Sequence, residues 1–589
     1  MHTFSVWAPR AGAVSVLVNG QSYPMMLQPH GWWRAGVASA EHGMDYAFLL
    51  DDDPKPYPDP RSGWQPAGVH GPSRVFDHQR YAWNDAGFQP TAFSEAILYE
   101  LHVGTFTPEG TFAAAAKKLS YLRELGITHI ELMPVNSFPG RWGWGYDGVD
   151  LFAPQEAYGG PEALMRFVDQ CHSLGLSVLL DVVYNHFGPD GNYTGRFGPY
   201  ITENHHTPWG GAVNLEEYGS DEVRGFFCDN ALTWLRDYHF DGLRLDAVHS
   251  LVDRSAVHFL EQLSEEVESL SNEMGKDLVL IAESDLNDPR VVTPRASKGQ
   301  AGSCGYGIDA QWSDDFHHAL FAFLTGERRS YYRDFGSLKQ VAKALTSVYV
   351  FDGIHSEYRG RNHGRPVENL GAHRFLGYIQ NHDQVGNRAF GDRLHEESGI
   401  KAAKLAAALV LTAPFVPMIF QGEEFAASSP FLYFADHENP ELARAVSEGR
   451  RREHAPDGDW ESIPDPESQE TFERSKLNWA ECESEPHAEM LAWYRGLIDL
   501  RRSHACLRDE RLEHTRVRFD EAARWLSMER GSLHMLFNFS NEPIQLEVPE
   551  VSSLVLASAE EVHIDSGIID LPPQTFAAIT VEPGEKLDS

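Results

Sequence analysis

The sequence contains few cysteines, and they form no recognisable pattern. Its 589 residues include five widely scattered cysteines without a CxxC pair: Cys171, Cys228, Cys304, Cys482 and Cys506. An odd number without close spacing argues against a disulfide framework, and neither a cysteine-rich zinc pattern nor an HExxH motif is present. The cysteines are therefore predicted to be free thiols in a reducing compartment.

The sequence also lacks the segments that direct a chain to a membrane. Its first residues, MHTFSVWAPRAG, show no basic stretch followed by an apolar one, so we expect no signal peptide. The most apolar run, residues 405–420, is interrupted by Pro414 and Pro417 and is too short to span a bilayer. This run predicts a buried helix followed by a buried strand, and we expect a cytoplasmic protein.

Basic residues are scarce compared with acidic ones. The chain has 49 Lys and Arg against 86 Asp and Glu, which gives a formal net charge of −37. This charge disfavours binding to nucleic acid or to anionic membranes. Hydrophobic residues make up 42% and aromatic residues 12% of the chain, as in a folded globular protein. The length predicts one large domain with smaller satellites and leaves the oligomeric state open.

The distribution of short apolar runs divides the chain into three predicted domains. Residues 1–90 contain strand-like runs such as VSVLVNG and YAFLLDD between turn signals, which predicts an N-terminal β-sandwich. Residues 508–589 contain alternating runs such as LHMLFNFS, which predicts a C-terminal β-sandwich. The remaining residues, 91–507, are predicted to form one large domain between them.

The middle domain is predicted to be an α/β protein with a (β/α)₈ TIM barrel. Its eight apolar runs are 96–104, 129–135, 177–183, 242–248, 278–284, 307–312, 374–381 and 416–422. Helical spacing is present in the segments 111–126, 160–175, 221–238, 255–270 and 488–503. Continuous apolar strands alternating with helices are typical of a parallel sheet covered on both faces. A doubly wound open sheet is the alternative, but no glycine-rich phosphate loop follows the first strand.

Two long polar segments interrupt the barrel pattern. The loop 187–219 is rich in Gly, His and aromatic residues, and its length predicts a wall of a functional cleft. The second segment, 430–480, is a charged insertion after the last predicted strand.

Charged side chains follow several predicted strands. Arg244 and Asp246 lie two residues apart on the fourth strand, so strand alternation directs both to the same side. Taken alone, this pair would favour a structural ion pair. Further candidates follow the third, fifth and seventh strands: Asp181, Asn185, His186, Glu283, His382 and Asp383. Because barrel strands end at one mouth, three carboxylates would converge there and raise each other's pKa, which favours catalysis.

Two kinds of chemistry suit converging carboxylates. Hard metal ions prefer oxygen ligands, but no single loop carries a dense cluster of Asp and Asn. Glycoside hydrolysis with retention needs one carboxylate nucleophile and one protonated carboxylic acid. Sugar binding also needs aromatic surfaces, and RWGWGYDG (141–148) supplies Trp144 and Tyr146 after the second strand. The sequence therefore favours glycoside hydrolysis.

Four segments carry a resemblance to the α-amylase superfamily. DVVYNH, GLRLDAVH, IAES and QNHDQ look like its four signature regions, in the right order and on the expected strands. The resemblance implies a TIM barrel and a retaining double displacement. Asp246 would be the nucleophile, Glu283 the acid and base, and Asp383 the residue that stabilises the transition state.

The same resemblance implies roles for the surrounding residues. Arg244 would keep Asp246 ionised, Asp181 would brace the site, and His186 and His382 would donate hydrogen bonds to the sugar. Other residues expected to line the sugar subsites are His249, Asp309, Gln311, Trp312, Gln384, Asn387, Trp144 and Tyr146. For Asp309, Gln311 and Trp312, strand-end capping and core packing remain open as alternatives. No cofactor and no essential metal are implied.

Within this superfamily, longer segments such as ELMPVNSFPGRWGWGYDGVD and QNHDQVGNR are similar to the trehalohydrolases that act on maltooligosyltrehalose. This resemblance implies cleavage of the α-1,4 bond next to the terminal trehalose. A branching transglycosylase is the alternative, but its fourth region usually contains SHDE where this chain has NHDQ at 381–384. A non-catalytic glucan-binding protein is a third hypothesis, disfavoured because it would not need three carboxylates.

Overall fold

Eight parallel strands form a closed barrel in the computed structural model, which describes residues 2–295, 305–455, 460–549 and 552–581. In chain order the barrel strands are Leu98–Leu101, His129–Leu132, Ser177–Val182, Gly242–Leu245, Val279–Ala282, Ala310–Trp312, Phe375–Gly377 and Val416–Phe420. The predicted TIM barrel and its eight strands are confirmed, although most strands are shorter than predicted. Their residues are almost all buried, which explains why these segments are continuously apolar rather than alternating.

The α-helices surround the barrel and fill its connections. Their bounds are Val103–Phe106, Phe112–Ala115, Leu119–Leu125, Gly160–Ser173, Thr194–Phe197, Ser220–Arg236, Phe259–Met274, Asp314–Thr325, Leu338–Ser347, His382–Gly386, Leu394–Ser398, Ile400–Thr412, Pro440–His454, Gln469–Arg474 and His487–Ser503. The predicted helix 111–126 is divided by a 3₁₀ turn, Ala116–Lys118, and ends as predicted at Gly126 with a φ of 101°.

One helix begins later than its sequence predicts. The spacing of apolar residues predicts a helix over the whole segment 255–270, but the helix begins at Phe259. Asp253 accepts hydrogen bonds from the backbone amides of Ser255 and Phe259, and the His258 ring accepts one from Leu260. These local bonds compete with helical ones and hold residues 254–258 in a loop.

Two antiparallel sheets precede the barrel. Their strands are His2–Trp7, Met26–Leu27 and Trp32–Val37 in one sheet, and Val14–Val18, Gln21–Pro24, Asp45–Leu50 and Ser73–Arg74 in the other. Apolar side chains from both sheets join the main hydrophobic core. The indole of Trp32 donates a hydrogen bond to Glu222 at 2.9 Å, and Arg61 pairs with Asp229 at 2.7 Å, which holds this region against the helix Ser220–Arg236.

Two further sheets follow the barrel. The larger contains Thr515–Asp520, Trp525–Arg530, Leu533–Asn538, Ser552–Ala557 and Thr575–Val581, and the smaller contains Ile544–Glu547, His563–Asp565 and Ile568–Leu571. Buried Arg530 donates hydrogen bonds to the carbonyls of Thr412, Ala413 and Leu507, which attaches the larger sheet to the barrel. The architecture is thus a TIM barrel with flanking β domains, and the exact boundaries at 90 and 507 stay predictions.

Three short hairpins complete the fold: Asn136–Ser137 with Asp150–Pro154, Ile201–Thr207 with Gly210–Val213, and His355–Ser356 with Arg361–Asn362. Cys171, Cys228, Cys482 and Cys506 are free thiols, and Cys304 lies outside the described residues. In the described part of the chain, no helix is both long enough and apolar enough to cross a membrane.

A buried ionic network connects the chain before the barrel to the N-terminal ends of the strands. His172 contacts Asp85 through Nδ1 at 2.8 Å and Asp241 through Nε2 at 3.0 Å. Lys276 contacts the other oxygen of Asp241 at 2.6 Å. Burial lowers the pKa of His172, but the two carboxylates outweigh burial and raise that pKa above its usual value. His172 is therefore a buried cation that joins two carboxylates.

We expect the substitution His172→Ala to destabilise the protein by roughly 1–3 kcal/mol, because it removes a charged hydrogen-bond donor shared by two buried carboxylates. Lys276 still contacts Asp241 and His239 still contacts Asp85 in this variant. The raised pKa means that this stabilisation is fully present below about pH 6.5 and is lost as the pH rises through the folded-state pKa. The thermal midpoint should therefore fall more at low than at high pH. The matched control is exposed His355→Ala, and equal midpoints for the two variants would contradict the role of the network.

Candidate active site

The centre of the site is a single buried guanidinium. Arg244 is fully buried on the fourth barrel strand, and its Cζ atom lies 4.2 Å from the ring centre of Trp312. Its Nη1 donates to both oxygens of Asp181 at 2.9 Å and to Asp246 at 2.8 Å. Its Nη2 lies 2.9 Å from Glu283. Arg244 and Asp246 thus share one side, as strand alternation indicated, and the third and fifth strands contribute the carboxyl groups of Asp181 and Glu283.

The end of the fourth strand determines where Asp246 points. The strand ends at Leu245, and Ala247 adopts a left-handed conformation with a φ of 40°. The amide of Ala247 donates a hydrogen bond to Glu283 at 2.8 Å. Asn185 donates to the Asp246 carboxylate at 2.7 Å and to the Asp246 carbonyl at 2.9 Å. The strained turn and these bonds fix Asp246 beside Glu283.

The two carboxyl groups have opposite pKa shifts. Burial raises the pKa of Asp246, but the charge of Arg244 and the hydrogen bond from Asn185 outweigh burial and hold the pKa below its usual value. Burial raises the pKa of Glu283 well above its usual value, because the negative charges of Asp246 and Asp383 add to the effect and Arg244 does not cancel it. The two directions favour ionisation of Asp246 and retention of the proton by Glu283.

Asp383 lies on the short helix His382–Gly386, whose first turn is capped by the side chain of Asn381. Asn387 donates a hydrogen bond to Asp383 at 2.5 Å. Burial raises the pKa of Asp383, while the charges of His382 and Arg244 oppose that rise.

A cleft of about 480 Å³ opens above these groups. Nine predicted site residues line it: Trp144, Tyr146, His186, Asp246, His249, Glu283, His382, Asp383 and Asn387. Arg244 and Asp181 lie directly beneath them. The structure thus brings together residues from the loops after the second, third, fourth, fifth and seventh barrel strands.

Aromatic side chains form the walls of the cleft. Trp209, at the tip of the hairpin within loop 187–219, stacks on His186 with ring centres 5.1 Å apart. Trp144 donates a hydrogen bond from its indole to the carbonyl of Leu432 and stacks on Phe431. The Tyr146 hydroxyl donates to Asp181 at 2.6 Å. Flat rings and aligned polar groups are what a sugar-binding cleft requires.

Four residues predicted to line the sugar subsites lie elsewhere, and these predictions need correction. Asp309 precedes the sixth strand at the opposite end of the barrel, where it accepts a hydrogen bond from the Leu280 amide. Gln311 and Trp312 lie within that strand and are buried below the cleft, because the strand is Ala310–Trp312 and does not end before them. Gln384 turns away to the hydroxyls of Tyr331 and Tyr332.

Several cleft residues were not identified from the sequence. Asp147, Tyr433, Val446, Arg450 and Glu453 also line the cleft, and the last three belong to the helix Pro440–His454 of the insertion. That insertion was recognised as polar, but its sequence gives no sign of where it returns to the barrel. Glu100, on the first strand, was missed because it looked like part of an apolar run.

Asn185 has polar atoms that could in principle bind a metal ion, but these atoms contact other residues of the site. Its amide group is bonded to Asp246 and its oxygen lies 2.5 Å from Nδ1 of His186, so its polar atoms are engaged within the site. Within the described ranges, no group of three or more His, Cys, Asp or Glu side chains is arranged to hold a metal ion. The expectation that no essential metal is present stays a prediction.

Comparisons with known proteins agree with this geometry. Residues 77–204 match the family model described as the alpha amylase catalytic domain, and residues 510–577 match a domain of unknown function. The chain is 37% identical to a Salmonella typhimurium protein of known crystal structure, described as an alpha amylase. The two folds superpose with a TM-score of 0.89 over 98% of this chain and 97% of that one.

Full-length similarity identifies the family more narrowly. The chain is 49% identical to the malto-oligosyltrehalose trehalohydrolase of Rhizobium sp. strain M-11, over 98% of this chain and 97% of that protein. It is 43% identical to the protein of the same name from Saccharolobus solfataricus, over 94% of both chains. A 1,4-alpha-glucan branching enzyme from Pseudoalteromonas atlantica matches at 34% over 42% of this chain and 38% of that protein. The chain belongs to the malto-oligosyltrehalose trehalohydrolase family.

Proposed function

We propose that this protein is a retaining glycoside hydrolase that cleaves the α-1,4-glucosidic bond next to the terminal trehalose of maltooligosyltrehalose and releases trehalose. The observation that carries the chemistry is the pair Asp246 and Glu283, which share one guanidinium and have opposite pKa shifts. The names of the full-length relatives support the substrate. A cytoplasmic location stays a proposal from the sequence.

The first step is the attack of the Asp246 carboxylate on the anomeric carbon of the sugar before trehalose. A bond forms between the carboxylate oxygen and this carbon while the bond to the leaving oxygen breaks. Glu283 transfers its proton to the leaving oxygen, so trehalose departs as a neutral alcohol. The low pKa of Asp246 and the high pKa of Glu283 place both groups in the required protonation states.

The second step releases the shortened maltooligosaccharide. Glu283, now ionised, accepts a proton from a water molecule whose oxygen attacks the anomeric carbon and displaces Asp246. We assign to Asp383 the hydrogen bonding of sugar hydroxyls in the strained transition state. Arg244 and Asn185 orient Asp246 throughout. His186 and His382 face the same space, and because both nitrogens of His382 already have protein partners, a hydrogen bond to sugar would be shared with Tyr146.

A branching transglycosylase would use the same intermediate with a sugar acceptor instead of water. The branching enzyme named above aligns with less than half of this chain, whereas the trehalohydrolases align with nearly all of it. The hydrolase is therefore the function that we propose.

The proposed function predicts the products of one defined substrate. Maltotriosyltrehalose should yield maltotriose and free trehalose, and the new reducing end should first appear as the α-anomer because the double displacement retains configuration. Chromatography identifies the sugars, and proton NMR at early times identifies the anomer. Absence of trehalose among the products would refute the proposed substrate specificity. Initial formation of the β-anomer would refute the retaining mechanism.

The substitution Glu283→Gln tests the acid and base. It keeps the shape of the side chain but removes the transferable proton, so kcat should fall by at least roughly 10²–10⁴-fold while substrate still binds. Turnover is measured as trehalose release and binding by calorimetry. The control is Glu424→Gln, another buried carboxyl group, whose pKa is raised by burial to about 7 and which lies outside the cleft. Turnover of Glu283→Gln at the rate of the control would refute the assignment.

The substitution Arg244→Lys tests the shared guanidinium. A lysine ammonium cannot contact Asp181, Asp246 and Glu283 in the forked geometry of arginine. Misplacement of Asp246 should lower kcat by roughly 10²-fold. Weaker neutralisation should raise the pKa of Asp246, so the acid limb of the pH–rate profile should move to higher pH. Exposed Arg254→Lys is the control, and an unchanged acid limb in Arg244→Lys would contradict this role.

A further inference from the structure

A chain of hydrogen bonds beneath the cleft begins at Glu100, on the first barrel strand. The Glu100 side chain is 1% exposed, and one of its oxygens lies 2.5 Å from Nδ1 of His382. The other oxygen accepts the backbone amide of His382 at 2.9 Å. Nε2 of His382 lies 2.7 Å from the hydroxyl of Tyr146, which donates to Asp181 at 2.6 Å.

Counting protons along this chain determines the state of His382. The Tyr146 hydroxyl has a single proton, and that proton is donated to Asp181. The hydroxyl oxygen must therefore accept a proton from Nε2 of His382. Nδ1 faces the Glu100 carboxylate, which accepts hydrogen bonds and does not donate them when ionised. Both ring nitrogens must then carry protons, so His382 is an imidazolium.

The groups around His382 come from several elements. The charged or titratable ones are Glu100 on the first strand, His102 just after it, Tyr146 after the second, Asp181 on the third, Arg244 on the fourth and Asp383 on its own helix. Trp144 and Trp312 contact its ring. Burial lowers the pKa of His102 to about 3, so His102 is uncharged. Burial and the charge of Arg244 lower the pKa of His382, but Glu100 outweighs both and raises it.

We propose that Glu100 is a positioning residue for the hydrolysis, because its carboxylate keeps His382 doubly protonated and in one orientation between Tyr146 and Asp383. This inference rests on the proposed function. The imidazolium is, after Arg244, the second cation among the carboxyl groups of the cleft floor. Its charge opposes the rise that burial causes in the pKa of Asp383, and its Nε2 proton holds the Tyr146 hydroxyl toward Asp181.

A neighbouring glutamate provides a matched comparison. Glu131 pairs in register with Glu100 on the adjacent strand and is also 1% exposed. Within the described residues, neither carboxyl oxygen of Glu131 has a hydrogen-bond partner. Burial and the charge of Glu100 raise the pKa of Glu131 well above its usual value, so it is neutral. The two residues share depth and side-chain type but differ in the contact with His382.

The test compares Glu100→Gln with Glu131→Gln in the full-length protein. Without the carboxylate, His382 should lose its proton at lower pH, so the alkaline limb of kcat should move down by roughly one pH unit. At neutral pH kcat should fall about tenfold or more, with KM changed less. Glu131→Gln should retain the wild-type profile, and Glu100→Asp, which keeps the charge, should restore most of the alkaline limb.

Each other outcome overturns a specific statement. A uniform loss of kcat at all pH values in Glu100→Gln, accompanied only by a lower thermal midpoint, would show a purely structural role. An equal shift of the alkaline limb in Glu131→Gln would show that the shift does not depend on the contact between Glu100 and His382. If the wild-type protein releases no trehalose from maltotriosyltrehalose, the proposed function fails. If the wild-type protein releases trehalose and the alkaline limb of Glu100→Gln does not move, only the proposed role of Glu100 is refuted.

Discussion

The site depends on one buried guanidinium that contacts three carboxyl groups. Arg244 is fully removed from water, and Asp181, Asp246 and Glu283 all lie within 3 Å of its terminal nitrogens. Burying these charges costs several kcal/mol per ion, and a buried ion pair of this kind is rarely the most stable arrangement. One cation also cannot neutralise three carboxylates. The geometry therefore forces at least one carboxyl group to keep its proton, and Glu283 is the one whose pKa rises most clearly.

This excess of carboxyl groups over cations separates the pKa values of the two groups that we assign to catalysis. Two carboxyl groups held by one guanidinium but differing in hydrogen bonding have pKa values pushed apart. Asp246 receives the hydrogen bond of Asn185 and stays ionised. Glu283 accepts a hydrogen bond from the Ala247 amide, but burial and two nearby negative charges still raise its pKa. His382 adds a second cation to the floor, held by Glu100. The cleft floor thus contains two cations, Arg244 and His382, among a larger number of carboxyl groups.

The remaining parts of the molecule hold this floor and cover it. The hairpin in loop 187–219 places Trp209 over His186, and the helix Pro440–His454 brings Arg450 to the other wall. Arg450 is anchored by hydrogen bonds to the carbonyls of Gly386 and Arg388, next to the helix that carries Asp383. Two insertions therefore form parts of the cleft wall, together with Trp144 and Tyr146 from the loop after the second barrel strand.

The sequence alone determined the barrel and the residues at its strand ends. Apolar runs and helical spacing are local properties, so they located all eight strands and the same-side placement of Arg244 and Asp246. Strand ends do not follow from the local pattern: Asp309, Gln311 and Trp312 lie before or within the sixth strand, because an apolar run does not show where pairing between strands begins. Only the tertiary structure decided that Glu100 contacts His382 and that Arg450 lines the cleft. Residues 282 positions apart, such as Glu100 and His382, meet only when the barrel closes, and no local pattern records such a contact.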